Sequence, residues 1–451
     1  MNYQERLLKA IPGGAHTYSR GYDQYPLNAP QILTRGKGAY IYDPDGNKYL
    51  DYGMALRAVN IGYAEDEIDV AAIKQIKNGN NLTRPSMIEL EAAELLVELI
   101  DSVDMVKFTK NGSTAVSAAV KLARGYTGRE LVARCAEHPF FSYDDWFIGS
   151  TQLTRGVPKS AVSQTKLFNY NDLASLEKLV VEFPGQIACV VVEPAATECP
   201  QIGAATDCCN SSPCTRNYLG GQRNFLQDVQ ALCERNGIIF ILDEMITGFR
   251  WHIKGAQYQY GVSPDLCTFG KAMANGFSVS CVAGRREIMS LGSIEKPGQE
   301  RLFLLSTTHG AEMSGLGAFV ATMNFMQKHK VVEHLWDYGG KLTAMMARQA
   351  EAHGISHSFK VSGANCSPYY LTLDTAGANS LPLRTLFAQE MICNGVMMPW
   401  IALSYRHGPS ELATTERALD QTFAVYRRAL EEGVEKYLVG PAIKPVFRKY
   451  N

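Results

Sequence analysis

The sequence predicts an α/β protein, with a large domain built on a mostly parallel, doubly wound sheet and a smaller α+β domain. Between about residue 105 and residue 315, short apolar runs typical of buried strands alternate with segments that carry apolar residues at helical spacing. The 451 residues are 46% hydrophobic and 20% charged, which is enough ordinary globular chain for two or more domains. We expect an N-terminal segment at 1–60 that packs with the small domain, a large domain at 61–315 and the small domain at 316–451.

The elements are predicted in order along the chain. Turn residues over 43–47 lie between two strand-like runs and predict a hairpin, and helices are expected over 66–78 and 87–100. The strands of the large domain are expected at 105–109, 131–133, 187–192, 238–242, 266–269 and 280–283. Its helices are expected at 113–126, 173–182 and 224–236. A long apolar helix over 315–327 is expected to leave this domain, followed by helices near 336–352 and 416–437.

Charge and hydropathy exclude several classes of function. The formal net charge is −1, from 44 basic and 45 acidic residues, so there is no basic surplus that would favour nucleic acid. No stretch approaches the ~18 uninterrupted apolar residues of a membrane span, and the first residues lack the apolar core of a signal peptide. We therefore expect a cytoplasmic protein with no membrane or nucleic-acid partner, whose 11 cysteines are mostly reduced and buried.

Four cysteines cluster in a segment that is predicted to be a loop: Cys199, Cys208, Cys209 and Cys214. A zinc site is conceivable there, but the spacing lacks the paired CxxC of common structural zinc sites. We interpret the segment as a solvent-side insertion and predict no metal.

An aspartate and a lysine carry most of the functional prediction. Asp243 follows the apolar run 237–242, and Lys271 comes 28 residues later (271 − 243), after a second apolar run and a glycine. A carboxylate at the carboxyl end of a buried parallel strand lies where open α/β sheets bind ligands. Pyridoxal phosphate needs such a pair, because the lysine links to its aldehyde and the acid holds the proton on its pyridine nitrogen. The alternative is a surface lysine and an N-capping aspartate.

Residues 110–115 predict a phosphate-binding loop, because they follow a strand and open a helix. Gly112 lets the backbone approach an anion, and Ser113 offers a hydroxyl beside the N–H groups of the first helical turn. The alternative is a plain N-cap. The lysine of a P-loop is missing, which argues against a nucleoside triphosphate.

Three further segments offer candidate contacts. In the segment 136–143, either His138 or Phe140 could stack on a flat cofactor, although loop packing is an equal alternative. Hydroxyls over 306–310 could complete a phosphate site. Arg20 and Arg57 are candidates for binding a substrate carboxylate, with solvated surface charge as the alternative.

The order of these motifs resembles the class III, fold-type I pyridoxal-phosphate aminotransferases, and among them the glutamate-1-semialdehyde 2,1-aminomutases. The resemblance runs over nearly the whole chain and rests on these segments: Ile11-Pro12-Gly13-Gly14, Gly38 through Tyr52, Lys121 through Arg129, Val192-Glu193-Pro194, Asp243 through Arg250, Gly255 through Asp265, and Gly270-Lys271.

The resemblance implies a fold-type I architecture with a seven-stranded, mostly parallel sheet. It also implies roles for individual residues. Lys271 would be the cofactor-linked lysine that moves the proton, Asp243 the partner of the pyridine nitrogen, and Met245 an apolar contact on one ring face. Gly112 and Ser113 would belong to the phosphate loop. Residues further out would include Thr307, which reaches the phosphate across a homodimer interface, and Arg20, which faces the substrate.

Departures from the family pattern concentrate at the substrate end. The Tyr-His-Gly segment of the family is replaced by residues 138–141, the Ser-Gly-Thr-Glu-Ala loop by 111–115, and the Gly-Thr-Leu-Ser-Gly-Asn-Pro loop by 306–312. We therefore expect an aminotransferase that uses a small amino donor and a different carbonyl acceptor, such as an aldehyde or keto sugar in a biosynthetic pathway. The alternatives are a true aminomutase, a racemase or decarboxylase on the same scaffold, and a non-catalytic cofactor-binding protein.

Overall fold

A computed structural model describes residues 2–196, 198–202 and 223–450 of the chain. Its Cα atoms divide into two compact units. The larger unit is Asp66–Val332, and the smaller unit combines Met1–Glu65 with Glu333–Asn451. The N-terminal segment and the C-terminal part thus belong to one unit, and the division after Val332 lies further along the chain than the expected boundary at residue 315.

The larger unit contains, in the described part of the chain, a seven-stranded sheet. The strands in spatial order are Met105–Thr109, Ser280–Gly284, Leu266–Phe269, Ile239–Glu244, Ile187–Val192, Leu131–Cys135 and Thr165–Phe168. Ser280–Gly284 runs antiparallel to both of its neighbours, and the remaining pairs are parallel. This confirms the predicted α/β fold with a mostly parallel, seven-stranded sheet.

Helices lie between these strands. Those of at least eight residues in the described part of the larger unit are Asp66–Lys77, Met87–Leu99, Gly112–Thr127, Leu173–Glu182, Phe225–Asn236 and Met313–Lys328. Short ones are Asp145–Ile148, Lys159–Val162, Ala256–Tyr260 and Arg286–Met289, with 3-10 turns at Lys271–Ala274 and Ser290–Gly292. Side-chain caps fix several starts: Asn224 accepts from Gln227 N–H, and Ser86 accepts from Glu89 N–H.

The helix Met313–Lys328 stays with the larger unit and does not leave it. It packs against Asp66–Lys77, and Gly317 allows the close approach, because a methyl group there would lie 3.1 Å from the Ala71 carbonyl oxygen. The apolar pattern of this helix therefore reflects burial inside the larger unit.

The smaller unit has a four-stranded sheet and a two-stranded sheet in its described residues. The first comprises Arg35–Lys37, Tyr40–Tyr42, Lys48–Asp51 and Val396–Met397, and the second Phe359–Ser362 and Tyr369–Thr372. Its helices are Tyr3–Ala10, Leu381–Cys393 and Pro409–Glu432, and most of Val331–Ala352, while Met54–Arg57 forms a left-handed turn. Short 3-10 turns are Pro12–Gly14, Tyr18–Arg20, Tyr22–Gln24 and Val434–Lys436.

The hairpin expected over 43–47 is confirmed. The carboxylate of Asp43 accepts from the N–H groups of Asp45 and Asn47, at 3.0 and 2.8 Å, and so closes the turn between two antiparallel strands. No helix in the described ranges is both long and apolar enough to cross a lipid bilayer.

Candidate active site

Two adjacent strands of the larger unit bring Asp243 and Lys271 to one edge of the sheet. Ile239–Glu244 and Leu266–Phe269 run parallel, and Asp243 is opposite Thr268 in their register. Lys271 comes two residues after the second strand ends. Both candidates therefore lie at the carboxyl ends of neighbouring parallel strands, where α/β sheets bind ligands.

The carboxylate of Asp243 is buried and held in one orientation. The Met245 N–H and the Thr268 hydroxyl donate to it at 2.9 and 3.0 Å, and both bonds end on Oδ1. Burial raises the pKa of Asp243 to about 6, while these hydrogen bonds and the nearby charge of Lys271 act in the opposite direction. The Lys271 ammonium is thus within electrostatic reach of the Asp243 carboxylate.

The backbone at Lys271 is strained. Its φ is +37°, in the left-handed region that side-chain-bearing residues rarely adopt, at the start of the 3-10 turn Lys271–Ala274. Strain of this kind persists only where the surroundings enforce it, and it concentrates at functional sites.

Met245 brings the candidate phosphate loop to the same place. A methyl group on Gly112 would lie 2.8 Å from Met245 Sδ, and a methyl group on Gly270 would lie 2.6 Å from the same atom. Met245 itself is buried. The loop at Gly112, the end of the Asp243 strand and the residue before Lys271 therefore converge on one side chain, which lies close against both glycines.

The loop at Gly112 has the features of an anion site. It opens the 16-residue helix Gly112–Thr127, whose free N–H groups and dipole favour a phosphate. The Asn111 side chain accepts from Thr114 N–H at 2.9 Å. The hydroxyl of Ser113 is buried and accepts from Tyr143 N–H at 3.3 Å.

The two aromatic candidates differ sharply in exposure. His138 is 2% exposed, accepts at Nδ1 from the Glu193 N–H at 3.1 Å, and packs against the rings of Phe141 and Tyr170. Burial lowers the pKa of His138 to about 3, so the imidazole is neutral. Phe140 is 47% exposed.

Sequence reasoning missed two neighbours of these groups. Thr268 could have been found from the parallel register that sets it opposite Asp243. Tyr143 could not have been found, because its position depends on how the segment 136–143 folds. Its hydroxyl lies 3.4 Å from the Thr114 hydroxyl, at the start of the phosphate-loop helix.

Thr307 lies in an exposed loop that precedes the helix Met313–Lys328. The loop runs beside the strand Met105–Thr109. A methyl group placed on Gly310 would lie only 3.3 Å from the Phe108 carbonyl oxygen. The role of Thr307 in an interface between two chains stays a prediction.

In the smaller unit, Arg20 lines a cavity of about 890 Å³. Most of the walls are apolar, contributed by side chains such as Leu33, Leu56 and Trp400. Arg57 is not among its lining residues. The structure therefore separates the two arginine candidates: Arg20 has access to this cavity, and Arg57 is half-buried in the adjoining turn.

That turn, Met54–Arg57, is left-handed over four successive residues, with φ values of +38°, +49°, +62° and +67°. The buried Asp51 carboxylate holds its start, accepting from the N–H groups of Gly53 and Met54 and from the Tyr63 hydroxyl at 2.6, 3.0 and 2.6 Å. Trp400 Nε1 donates to the Gly53 carbonyl at 3.1 Å. Four consecutive residues in this region are costly, and two of them, Ala55 and Leu56, line the cavity.

The cysteine cluster is only partly described. Cys199 is buried and disulfide-bonded, whereas Cys208, Cys209 and Cys214 lie outside the described residues. Seven other cysteines, all among the described residues, are not disulfide-bonded, and six of these are buried. Within the described ranges, no group of His, Cys, Asp or Glu side chains could hold a metal ion.

These residues fit pyridoxal phosphate. They provide a lysine beside a buried carboxylate, a helix N-terminus for the phosphate and a buried thioether between two glycines. With the mostly parallel seven-stranded sheet, they define a pyridoxal-phosphate enzyme of fold-type I. The chain belongs to the class III aminotransferases, whose family model matches residues 18–206 and 218–377.

Two relatives align with almost the whole chain. The 3-aminobutyryl-CoA aminotransferase of Cloacimonas acidaminovorans is 31% identical over 441 residues, which cover 95% of this chain and 98% of the relative. The glutamate-1-semialdehyde 2,1-aminomutase of Salinibacter ruber is 29% identical over 433 residues, covering 92% and 94%.

Solved structures agree with this assignment. The pyridoxal-phosphate form of the FumI protein from Sphingopyxis sp. MTA144 superimposes with a TM-score of 0.82 at 25% identity, covering 95% of this chain and 97% of that one. An omega-transaminase from Sphaerobacter thermophilus gives a TM-score of 0.80 at 25% identity, covering 94% and 97%. Amino-group transfer with pyridoxal phosphate is therefore the activity of this family and of this chain.

Proposed function

We propose that Lys271 and Asp243 are the catalytic pair of this aminotransferase. One observation carries the proposal: Gly112 and Gly270 both lie against the side chain of Met245. Asp243 accepts a hydrogen bond from the Met245 N–H, and Lys271 directly follows Gly270. Gly112 and Ser113 hold the phosphate, Met245 supports one ring face, and either His138 or Phe140 supplies an aromatic contact.

Bound pyridoxal phosphate supplies an electron sink for the bond that breaks at the amino carbon. The side chains of the protein move and hold the protons. Lys271 takes up the proton from that carbon and returns it. Asp243 would hold a proton on the ring nitrogen, and the hydrogen bonds that Met245 and Thr268 donate to Oδ1 keep its carboxylate in one orientation.

The substrates proposed are a small amino donor and a carbonyl acceptor, an aldehyde or keto compound of a biosynthetic pathway. Arg20 at the apolar cavity of the smaller unit supports an acceptor or donor that carries a carboxylate next to an apolar chain. The names of the two relatives indicate different substrates, so a true aminomutase is the alternative. We also propose a homodimer with shared active sites and a cytoplasmic location, where most of the 11 cysteines would stay reduced.

Borohydride reduction followed by peptide mapping tests the catalytic pair. The reconstituted protein should carry the reduced cofactor on Lys271 and lose its visible absorption band. A Lys271→Ala variant should show neither label nor turnover, whereas Lys254→Ala, which changes another lysine of the larger unit, should behave as wild type. A label on a different lysine, or normal turnover by Lys271→Ala, contradicts the proposal.

A donor and acceptor screen then identifies the reaction. Amino donors should bleach the visible band, and a carbonyl acceptor should restore it. Conversion of glutamate-1-semialdehyde to 5-aminolevulinate without an added donor would establish the aminomutase. A band that no donor changes would favour a racemase or decarboxylase.

A further inference from the structure

A polar cluster surrounds Lys110, the residue at the start of the candidate phosphate loop. Lys110 Nζ donates to Glu312 Oε2 at 2.7 Å. The other carboxylate oxygen of Glu312 accepts from the side chains of Asn80 and Ser314, at 2.8 and 3.2 Å. Glu312 is also the N-cap residue of the helix Met313–Lys328. The cluster therefore connects the phosphate loop to the start of that helix.

Asn80 adds a third segment to this cluster. It has a left-handed backbone, with φ +56°, and its carbonyl and side-chain oxygens accept from the N–H groups of Met313 and Ser314 at 2.8 and 3.0 Å. The connection after the helix Asp66–Lys77 thus caps the helix that follows Glu312. The position of Glu312 is fixed from both sides.

The cluster also reaches the segment that carries the candidate catalytic lysine. The Ser278 hydroxyl donates to the Lys110 carbonyl at 2.6 Å, and Ser278 is seven residues after Lys271 (278 − 271). On its other side, Lys110 is followed directly by Asn111, whose side chain caps the phosphate-loop helix, and then by Gly112. Lys110 is therefore connected both to the segment that carries Lys271 and to the residues of the phosphate loop.

We propose that Lys110 and Glu312 are positioning residues, whose ion pair fixes the phosphate loop relative to the start of the helix Met313–Lys328. The inference rests on the proposed function, in which Gly112 and Ser113 hold the cofactor phosphate. Glu312 stands in the segment 306–312, which replaces the Gly-Thr-Leu-Ser-Gly-Asn-Pro loop of the family. Lys110 directly precedes the segment 111–115, which replaces the family's Ser-Gly-Thr-Glu-Ala loop. The ion pair therefore joins one departing segment to the residue next to the other.

The surroundings support a local rather than a global role for this pair. The side chains of Lys110 and Glu312 keep 25% and 29% of their exposure, so water can solvate either partner if the other is lost. Hydrogen bonds from Lys110 and Asn80 lower the pKa of Glu312 to about 2, so the carboxylate is charged at neutral pH. Removing the pair should loosen the loop and leave the fold intact.

Cofactor binding by single and paired variants tests the proposal. We expect Lys110→Met and Glu312→Gln each to weaken the binding of pyridoxal phosphate about tenfold, the size expected for a hydrogen bond between charged groups. The double variant should be no weaker than either single variant, because both remove the same contact. Exchange of the charges, Lys110→Glu with Glu312→Lys, should recover part of the affinity.

Pyridoxal, which lacks the phosphate, separates a positioning role from general loosening. Its affinity should stay within about twofold of wild type in every variant, because the pair acts on the phosphate loop. Lys254→Met is the matched control: it breaks the ion pair of Lys254 with Asp101, 2.9 Å long and on the same unit, and should bind both compounds normally.

Two results would overturn the proposal. One is wild-type affinity for pyridoxal phosphate in both single variants. The other is an equal loss for pyridoxal and for pyridoxal phosphate. Failure of the proposed function itself looks different, because the wild-type protein would then bind pyridoxal phosphate no better than pyridoxal.

Discussion

At the scale of single residues, the carboxylate of Asp243 is unusual because its two hydrogen bonds end on the same oxygen. The Met245 N–H and the Thr268 hydroxyl both donate to Oδ1. An asparagine at this position could keep both bonds through its carbonyl oxygen while losing the negative charge. The charge of Asp243 and its structural contacts can therefore be separated experimentally.

We predict that Asp243→Asn folds normally and loses most of its aminotransferase activity, because a neutral amide cannot retain the proton on the ring nitrogen. The charge of Asp243 should also affect the free energy of unfolding. The folded pKa of about 6 lies above the ordinary aspartate value of 3.8, so ionisation of Asp243 disfavours folding. This penalty is absent below pH 3.8 and complete above pH 6.

Urea denaturation of both cofactor-free proteins across this pH range measures the effect. The free energy of unfolding of Asp243→Asn, relative to wild type, should rise from pH 4 to pH 6 and stay constant above. Glu244, whose pKa is also raised to about 6 by burial, is present in both proteins and cancels. A flat difference would show that Asp243 does not titrate in this range.

The sequence predicted the residues that local pattern can reveal. Asp243 and Lys271 follow recognisable apolar runs, and Gly112 opens a helix. The ion pair of Lys110 and Glu312 joins residues 202 positions apart (312 − 110), so neither spacing nor periodicity could reveal it. The choice between His138 and Phe140 also depends on how one loop folds, which is a tertiary property.

At the scale of elements, burial decided which strands could be predicted. The interior strand Ile187–Val192 is buried at every position and was predicted with its observed bounds. The edge strand Thr165–Phe168 was missed, because it is only four residues long and two of its side chains are not buried. Helix ends shifted by one residue where a cap lies just outside, as at Asn224.

The left-handed turn Met54–Arg57 gives a prediction at this scale. Ala55 has φ +49°, where glycine is favoured, and Ala58, three residues later, has φ −83°. We expect Ala55→Gly to stabilise the protein by about 1 kcal/mol, because it relieves left-handed strain. Ala58→Gly should destabilise it by about 0.5–1 kcal/mol through the extra backbone entropy of the unfolded chain.

Thermal or urea unfolding of the two variants, measured side by side, checks this contrast. The substitution is chemically identical at both positions, so the lost methyl group is common to both. Equal destabilisation would mean that Ala55 is not strained.

At the scale of the whole molecule, the smaller unit is discontinuous in sequence. Residues before 66 and after 332 form it together. The strand Val396–Met397 adds in parallel to Lys48–Asp51, more than 340 residues away. Chain length and composition can indicate that two domains exist. They cannot show to which domain the apolar helix Met313–Lys328 belongs, because that depends on the helix against which it packs.

The proposed homodimer is also tested at this scale. The helix Asp66–Lys77 exposes three branched apolar side chains, those of Val70, Ile73 and Ile76. We propose that a second copy of the chain covers them, since an exposed apolar row of this kind marks interaction surfaces. Ile73→Glu should then shift the solution mass from two chains to one, because a carboxylate cannot be buried there without a partner.

Light scattering over a range of protein concentrations measures this change. Val181→Glu is the control, since Val181 is 81% exposed on a different helix and should leave the mass unchanged. A wild-type protein with the mass of one chain contradicts the dimer.

The packing of Met245 between Gly112 and Gly270 has a practical consequence for engineering new amine products. Side chains larger than glycine at Gly112 or Gly270 would press against the Met245 thioether, so we expect most substitutions at these two positions to weaken coenzyme loading. Ala55 and Leu56, which border the cavity of the smaller unit, are better targets for a focused library.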